Sequence, residues 1–191
     1  VPRGKTFDPD SKLDVAVELF WRRGVDATGV QDIVDALGVN RGSLYATYGD
    51  KEQLWRAALS RYCDLLYGQL LTVLAEDGSL LPRIRGLLEA LTDPDSGRPR
   101  GCLIVNAITE RLPHDAGTRE VVDHQVARVE VALMEAFRAA DTVGEISSRW
   151  SARQLARFVV ATIQGLYVLD RAGASRQAMT DVIDVAMSAL C

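Results

Sequence analysis

Residues 31–48 read QDIVDALGVNRGSLYATY, and their spacing decides the fold. Val30, Ile33, Val34 and Leu37 fall on one stripe of a short helix that Gly38 ends. Val39 then plugs the corner, and Asn40 is placed to cap a second short helix from about Arg41 to Tyr48. Two short helices joined by three residues with a glycine in the turn form a helix-turn-helix pattern. In that pattern the second helix projects beyond the first, and a projecting helix fits the major groove of DNA.

The same rules extend outward in both directions. Upstream, Leu13, Ala16, Val17 and Phe20 share one helix face, with Asp8-Pro9 at its start and Gly24 at its end. Thr28 and Gln31 stand at capping-box spacing before the second helix. Downstream, Asp50 caps a long helix running to about Glu76. Further helices are expected at about 79–92, 101–112, 118–140, 151–171 and 176–190. The breaks fall at Asp77-Gly78, Thr92 to Arg100, Pro113 to Gly117, Gly144 and Ala172-Gly173. No window alternates with period two, so no sheet is expected. The fold class is all-α: a three-helix head over residues 1–50, then a helical body over residues 51–191.

Each residue of the head has a chemical reading. Arg41 suits a guanine edge, and Gln31 and Ser43 suit other base edges. Gly42 lets the backbone approach closely. Tyr45, Thr47 and Lys51 suit phosphate oxygens, which set register and not sequence. Arg3 and Lys5 form a short basic arm that can follow the backbone or enter a minor groove.

Composition sets an objection against this reading. The 191 residues carry 22 basic and 26 acidic groups, a formal charge of -4, whereas DNA binders tend to be basic. The charge is unevenly placed, however. Residues 1–61 hold nine basic and nine acidic groups, so the whole excess lies in the body. A generic polycation is excluded; a selective reader with modest affinity for random DNA is not.

Other classes also fall away. A chain of this length buries about 70% of its unfolded surface, so it needs no metal or disulfide staple. The longest charge-free apolar stretch, Phe158 to Leu169, falls short of the roughly 20 residues of a spanning helix. No signal-peptide pattern opens the chain, and three scattered thiols (Cys63, Cys102, Cys191) fit a reducing cytoplasm. There is no phosphate loop, dinucleotide fingerprint, zinc-protease helix or nucleophile elbow, so neither an enzyme nor a cofactor is expected. His114 and His124 lack the neighbours of a metal site.

The stretch Ala16–Leu54 resembles the N-terminal DNA-binding domain of the TetR family of transcriptional regulators. The marks are Phe20 and Gly24, Thr28 with Ile33, the run Leu37-Gly38-Val39, then Leu44-Tyr45, the aromatic Tyr48, and Lys51-Glu52 with Leu54. Two positions depart from the family. Gly29 stands where a second hydroxyl often caps helix two or holds a phosphate, which passes that role to Thr28. Thr47 stands where a His often precedes the aromatic. The resemblance implies a homodimer on double-stranded palindromic operator DNA, contacted through Thr28, Gln31, Asn40, Arg41, Gly42, Ser43, Tyr45, Thr47, Tyr48 and Lys51. It also implies release by a small-molecule effector, repression as the usual outcome, and no membrane partner.

In the body, helices 151–171 and 176–190 are the expected dimer interface. Ala156, Ala161 and Gly165 would allow close approach there. The effector pocket is expected between helices, at Tyr62, Leu66, Tyr67, Cys102, Leu103, Asn106, Thr109, Phe137, Phe158, Gln164 and Tyr167. Cys102 follows Arg98-Pro99-Arg100-Gly101 at a helix start, where dipole and cations lower a thiol's pKa. A sensor of electrophiles or oxidants is therefore an alternative. A helical protein-interaction module without DNA binding is another, and the neutral head is its best support.

Overall fold

The computed structural model describes residues 8–93, 96–146 and 148–190. Among them are nine helices and no strand: α1 (Pro9–Arg23), α2 (Val30–Leu37), α3 (Arg41–Tyr48), α4 (Lys51–Ala75), α5 (Leu80–Leu91), α6 (Leu103–Glu110), α7 (Ala116–Thr142), α8 (Ala152–Arg171) and α9 (Arg176–Ala189). The all-α expectation is met. The basic arm, Arg3 and Lys5, lies outside the described residues.

Caps set most of the boundaries. Asp8 accepts from the N–H groups of Asp10 and Ser11, Asn40 from Ser43 at 2.8 Å, and Asp50 from Gln53 at 2.7 Å. Gly38 takes φ +63°, the left-handed turn that separates α2 from α3. Val39 packs half-buried against the core, as its position in the turn required.

Two expectations about helix ends are corrected. Thr28 does not cap α2. Gly29 is the capping residue, and the Asp32 carboxylate accepts its N–H at 2.8 Å. Thr28 is fully buried, and its hydroxyl donates to the Gly24 carbonyl at 2.6 Å. Helix α6 has eight residues rather than the twelve expected. Gly101, at φ +80°, turns the chain so that its N–H meets the Asp170 carboxylate at 2.7 Å, and the helix starts only after Cys102.

Two apolar cores hold the molecule. The first joins the head to the body: Phe20, Ile33, Leu37 and Leu44 pack with Leu54, Trp55 and Leu59 of α4, and with Leu103 and Ala107 of α6. Phe20 meets Trp55 edge-on at 5.4 Å. The second core lies among α5, α7, α8 and α9, around Ile84, Leu88, Leu133, Phe137, Val159 and Ile183. Helix α4 touches both cores, through Leu54 at one end and Leu70 at the other. It is therefore the shaft between head and body.

Candidate nucleic-acid interface and effector cavity

Helix α3 is anchored by one side and open on the other. Leu44 is buried, while Arg41, Gly42 and Tyr45 are exposed, Tyr45 at 43%. Ser43, Thr47 and Lys51 are half-buried around this face. Gln31 is exposed on α2, its amide donating to Asp35 at 2.8 Å. The Asn40 side chain is committed to its cap, which also orients the first turn of α3.

Ion pairing sorts the basic groups of the head. Arg22 pairs with Glu18, Arg23 with Asp32, Arg61 with Asp14, and Arg56 with Asp115. Among the described residues, Lys12, Arg41 and Lys51 have no such partner. Two of these three charges, Arg41 and Lys51, lie at the two ends of α3, although the head as a whole is neutral.

One expected contact, Thr28, does not reach this face. Thr28 is enclosed, as described above. Tyr48 packs half-buried against the first core. Burial raises its phenol pKa, and the nearby charges of Asp10 and Asp8 raise it further.

The body holds two adjoining spaces. The smaller one is a half-open apolar chamber of about 100 Å3 among α4, α5, α6, α7 and α8. Its walls are Leu, Val and Ile side chains, with three amides, Gln69, Gln125 and Gln164. Of the expected pocket residues, Leu66, Cys102, Gln164 and Tyr167 line it. Tyr62 lines the larger space, a cleft of about 820 Å3 that also runs past Trp21, Arg83 and Arg98.

The other expected pocket residues lie elsewhere. Leu103 and Phe137 are buried in the first and second cores. Thr109 is exposed, its hydroxyl spent on the Val105 and Asn106 carbonyls. Asn106 is half-buried, its Nδ2 without a partner, and it lines neither space. Tyr67 packs half-buried beside the second core and carries the Arg128 guanidinium over its ring at 4.5 Å. Phe158 faces outward, 41% exposed. Gln69, Gln125 and Trp21 were missed. For the two amides the signal was present: each interrupts an apolar helical stripe, at Leu66-Leu70 and at Val122-Val126-Val129.

Cys102 is buried and accepts the Tyr62 hydroxyl at 3.5 Å. Burial is the larger effect and raises its pKa. Tyr62, the N–H groups of Val105 and Ile104, and Arg98 all push the other way without prevailing. The expected activation by helix start and arginine is real in direction, but desolvation outweighs it. Cys63, also buried, is pushed up to about 12. Among the described residues no cluster of three metal-ligating side chains occurs, and no helix is long and apolar enough to cross a membrane.

A family model for bacterial regulatory proteins of the tetR family matches residues 13–58, and one for tetracyclin repressor-like C-terminal domains matches residues 81–186. The chain belongs to the TetR family. It is 30% identical to the HTH-type transcriptional repressor ComR of Escherichia coli, over 94% of this chain and 87% of ComR. It is also 30% identical to the uncharacterised HTH-type regulator YezE of Bacillus subtilis, over 98% of each. Among solved structures, a cysteine mutant of the TetR family regulator CifR in complex with 26-base-pair operator DNA superposes with a TM-score of 0.86. That match has 26% identity and covers 99% of this chain and 100% of that one. Reduced NemR of E. coli shares the fold, with a TM-score of 0.85 at 19% identity over 97% and 98%. This TetR-family chain is thus a transcriptional regulator and not an enzyme.

Proposed function

We propose that this regulator is a cytoplasmic homodimeric repressor of a palindromic operator, released when a small molecule occupies the body. The observation that carries the reading is the face of α3. Arg41 stands exposed and unpaired in the first turn of a helix that buried Leu44 anchors to the core. Arg41, Gly42 and Ser43 meet base edges, while Tyr45, Thr47 and Lys51 hold phosphates. The operator complex of CifR supports DNA as the partner, and the name of ComR supports repression. The head spans residues 1–50, and residues 51–191 carry effector binding and dimerisation.

A second copy fits the outer face of α8 and α9. Phe158, Ala161, Gly165 and Val168 are exposed in one line along α8, and Val182 and Val185 are exposed on α9. Ala156, expected in that line, is instead wholly buried in the second core. Small residues between large ones let two helices approach closely.

The test is binding to the DNA adjoining its own coding sequence, followed by fluorescence anisotropy at rising salt. Saturable binding that falls steeply with salt is expected. A chain that binds no promoter fragment would instead be a protein-interaction module. Release by a reagent that modifies the Cys102 thiol is the alternative mode, and burial of that thiol disfavours it. Unchanged release by such reagents in Cys102→Ser would dismiss that mode.

A further inference from the structure

The size of the chamber constrains what can enter the body. At about 100 Å3 it is smaller than the ~150 Å3 engineered cavity that takes up benzene. Sites for drug-sized ligands run to about 300–1,000 Å3. The chamber alone therefore accepts only the apolar end of a ligand, after slight expansion. The cleft, about 820 Å3, shares Leu66, Gln69, Leu87, Leu91 and Tyr167 with the chamber. Those side chains form one wall between the two spaces, and a molecule of ordinary size must use both sides of it.

The two sides differ in chemistry. Beyond the wall the cleft offers hydrogen-bond donors. Trp21 of α1 lines it, is only 8% exposed, and has an indole N–H with no acceptor. A buried donor left unpaired is costly, so an acceptor there is favoured. Across the cleft, Arg98 lies over the Tyr167 ring at 5.5 Å. It also pairs with Asp170 at 3.6 Å and donates to the Gly101 carbonyl at 3.1 Å, which holds the guanidinium in place at 22% side-chain exposure. Arg83 and Glu76 are the other charged groups of the lining.

From this arrangement we infer that the effector is amphipathic: a compact aromatic or branched hydrocarbon body for the chamber, joined by a short linker to an oxygen-acceptor head, a carboxylate or ester, between Trp21 and Arg98. Such a ligand touches the head directly, because Trp21 belongs to α1 and packs edge-on against Tyr62 of α4 at 4.9 Å. Binding there acts on both helices that carry the DNA-reading unit. The inference rests on the proposed effector role of the body.

Three probes with one body test it: 4-phenylbutyrate, its methyl ester and 4-phenylbutylamine, titrated calorimetrically into the full chain. The acid and the ester are expected to bind at least tenfold more tightly than the amine, which offers only donors and a positive charge. Arg98→Gln and Trp21→Phe are each expected to weaken the acid about tenfold. Val129→Trp, which fills the chamber, is expected to abolish binding of acid and ester alike. Thermal melts of each variant separate these losses from misfolding. Equal affinity for the amine, no binding of any probe, or unchanged affinity in the folded Arg98 and Trp21 variants would each overturn the ligand class. Operator binding is measured without any probe, so a chain that still binds DNA keeps the regulator reading even if this one fails.

Discussion

At the scale of single residues, Arg41 and Thr28 make opposite predictions from neighbouring positions in the head. Arg41 is exposed and unpaired, so Arg41→Ala leaves the fold intact. A bidentate arginine–guanine contact discriminates by about 1–3 kcal/mol. Arg41→Ala is therefore expected to lower operator affinity by about that much per head and to relax base preference at one position, read by competition anisotropy. Thr28 is sealed in, with its hydroxyl on the Gly24 carbonyl. Thr28→Val is expected to lower the melting temperature, at a cost of about 1–3 kcal/mol for a buried acceptor left short of a partner. The salt dependence of DNA binding should not change. Weakened operator binding with an unchanged melting temperature in Thr28→Val would mean that the hydroxyl meets phosphate after all. The thiols make a third prediction of this kind. Burial holds both Cys63 and Cys102 protonated, so a bulky disulfide reagent should modify them at the rate of unfolding. Fast labelling of Cys102 in the native chain would show that the chamber opens readily.

At the scale of elements, the junction of α6 and α7 links the body to the head. Arg111 reaches Asp26 at 2.5 Å, Glu52, and Asp115 at 3.4 Å. Asp115 in turn caps α7 through the Thr118 N–H at 3.0 Å, and it accepts the Thr118 hydroxyl at 2.7 Å. That hydroxyl also accepts the Trp55 indole N–H at 2.8 Å. Burial alone would raise the Asp115 pKa, but the Thr118 bonds, Arg111 and Arg56 prevail and hold it at about 2. A carboxyl depressed below its unfolded value stabilises the fold above that value and loses the contribution as pH falls through about 2. The stabilisation should therefore fade from about pH 4 down to pH 2. Asp115→Asn keeps a good capping residue but removes the charge and one of the two oxygens that accept from Thr118 and the arginines. It is expected to cost about 1.5–3 kcal/mol at neutral pH and to flatten the acid limb of a melting-temperature profile. An unchanged limb would assign the acid sensitivity to another carboxylate.

This junction also marks what was legible in the sequence. Helix periodicity and turn residues placed the helices to within a few positions, because each stripe and each cap is local. The α3 face was legible for the same reason, since Leu44 and Arg41 are separated by known helical angles. The Arg111 cluster was not, because its partners are up to 85 residues away in the chain. The chamber was half legible. An amide on an apolar stripe was recognised at Gln164 but missed at Gln69 and Gln125. Phe158 and Phe137 line neither of the two spaces, because periodicity finds an apolar face and does not say which surface that face meets. Cys102 shows a competition that only magnitudes decide, with helix start and arginine against complete burial.

At the scale of the whole molecule, the acidic composition and the DNA-reading role are reconciled by placement. The body carries the negative excess, and in the head the acidic groups Glu18, Asp32 and Asp14 are used up on Arg22, Arg23 and Arg61. Of the cations left over, Arg41 and Lys51 lie beside α3. One such head offers few phosphate contacts, so useful affinity requires two heads held on one face of the duplex, about 34 Å apart. Two-fold pairing through the same patch on each copy supplies this geometry. Phe158 and Val185 are 41% and 69% exposed in the single chain. Replacing both with Glu should therefore change monomer stability by no more than about 0.5 kcal/mol per site, while placing like charges in the interface. The expected outcome is a shift in light-scattering mass from twice 20.9 kDa to 20.9 kDa. Affinity for a symmetric operator should collapse, and the slope of log affinity against log salt should fall by about half, because half the phosphate contacts are lost. A variant that stays dimeric would move the interface away from α8 and α9. A monomer that binds the full operator as tightly as before would show that one head suffices.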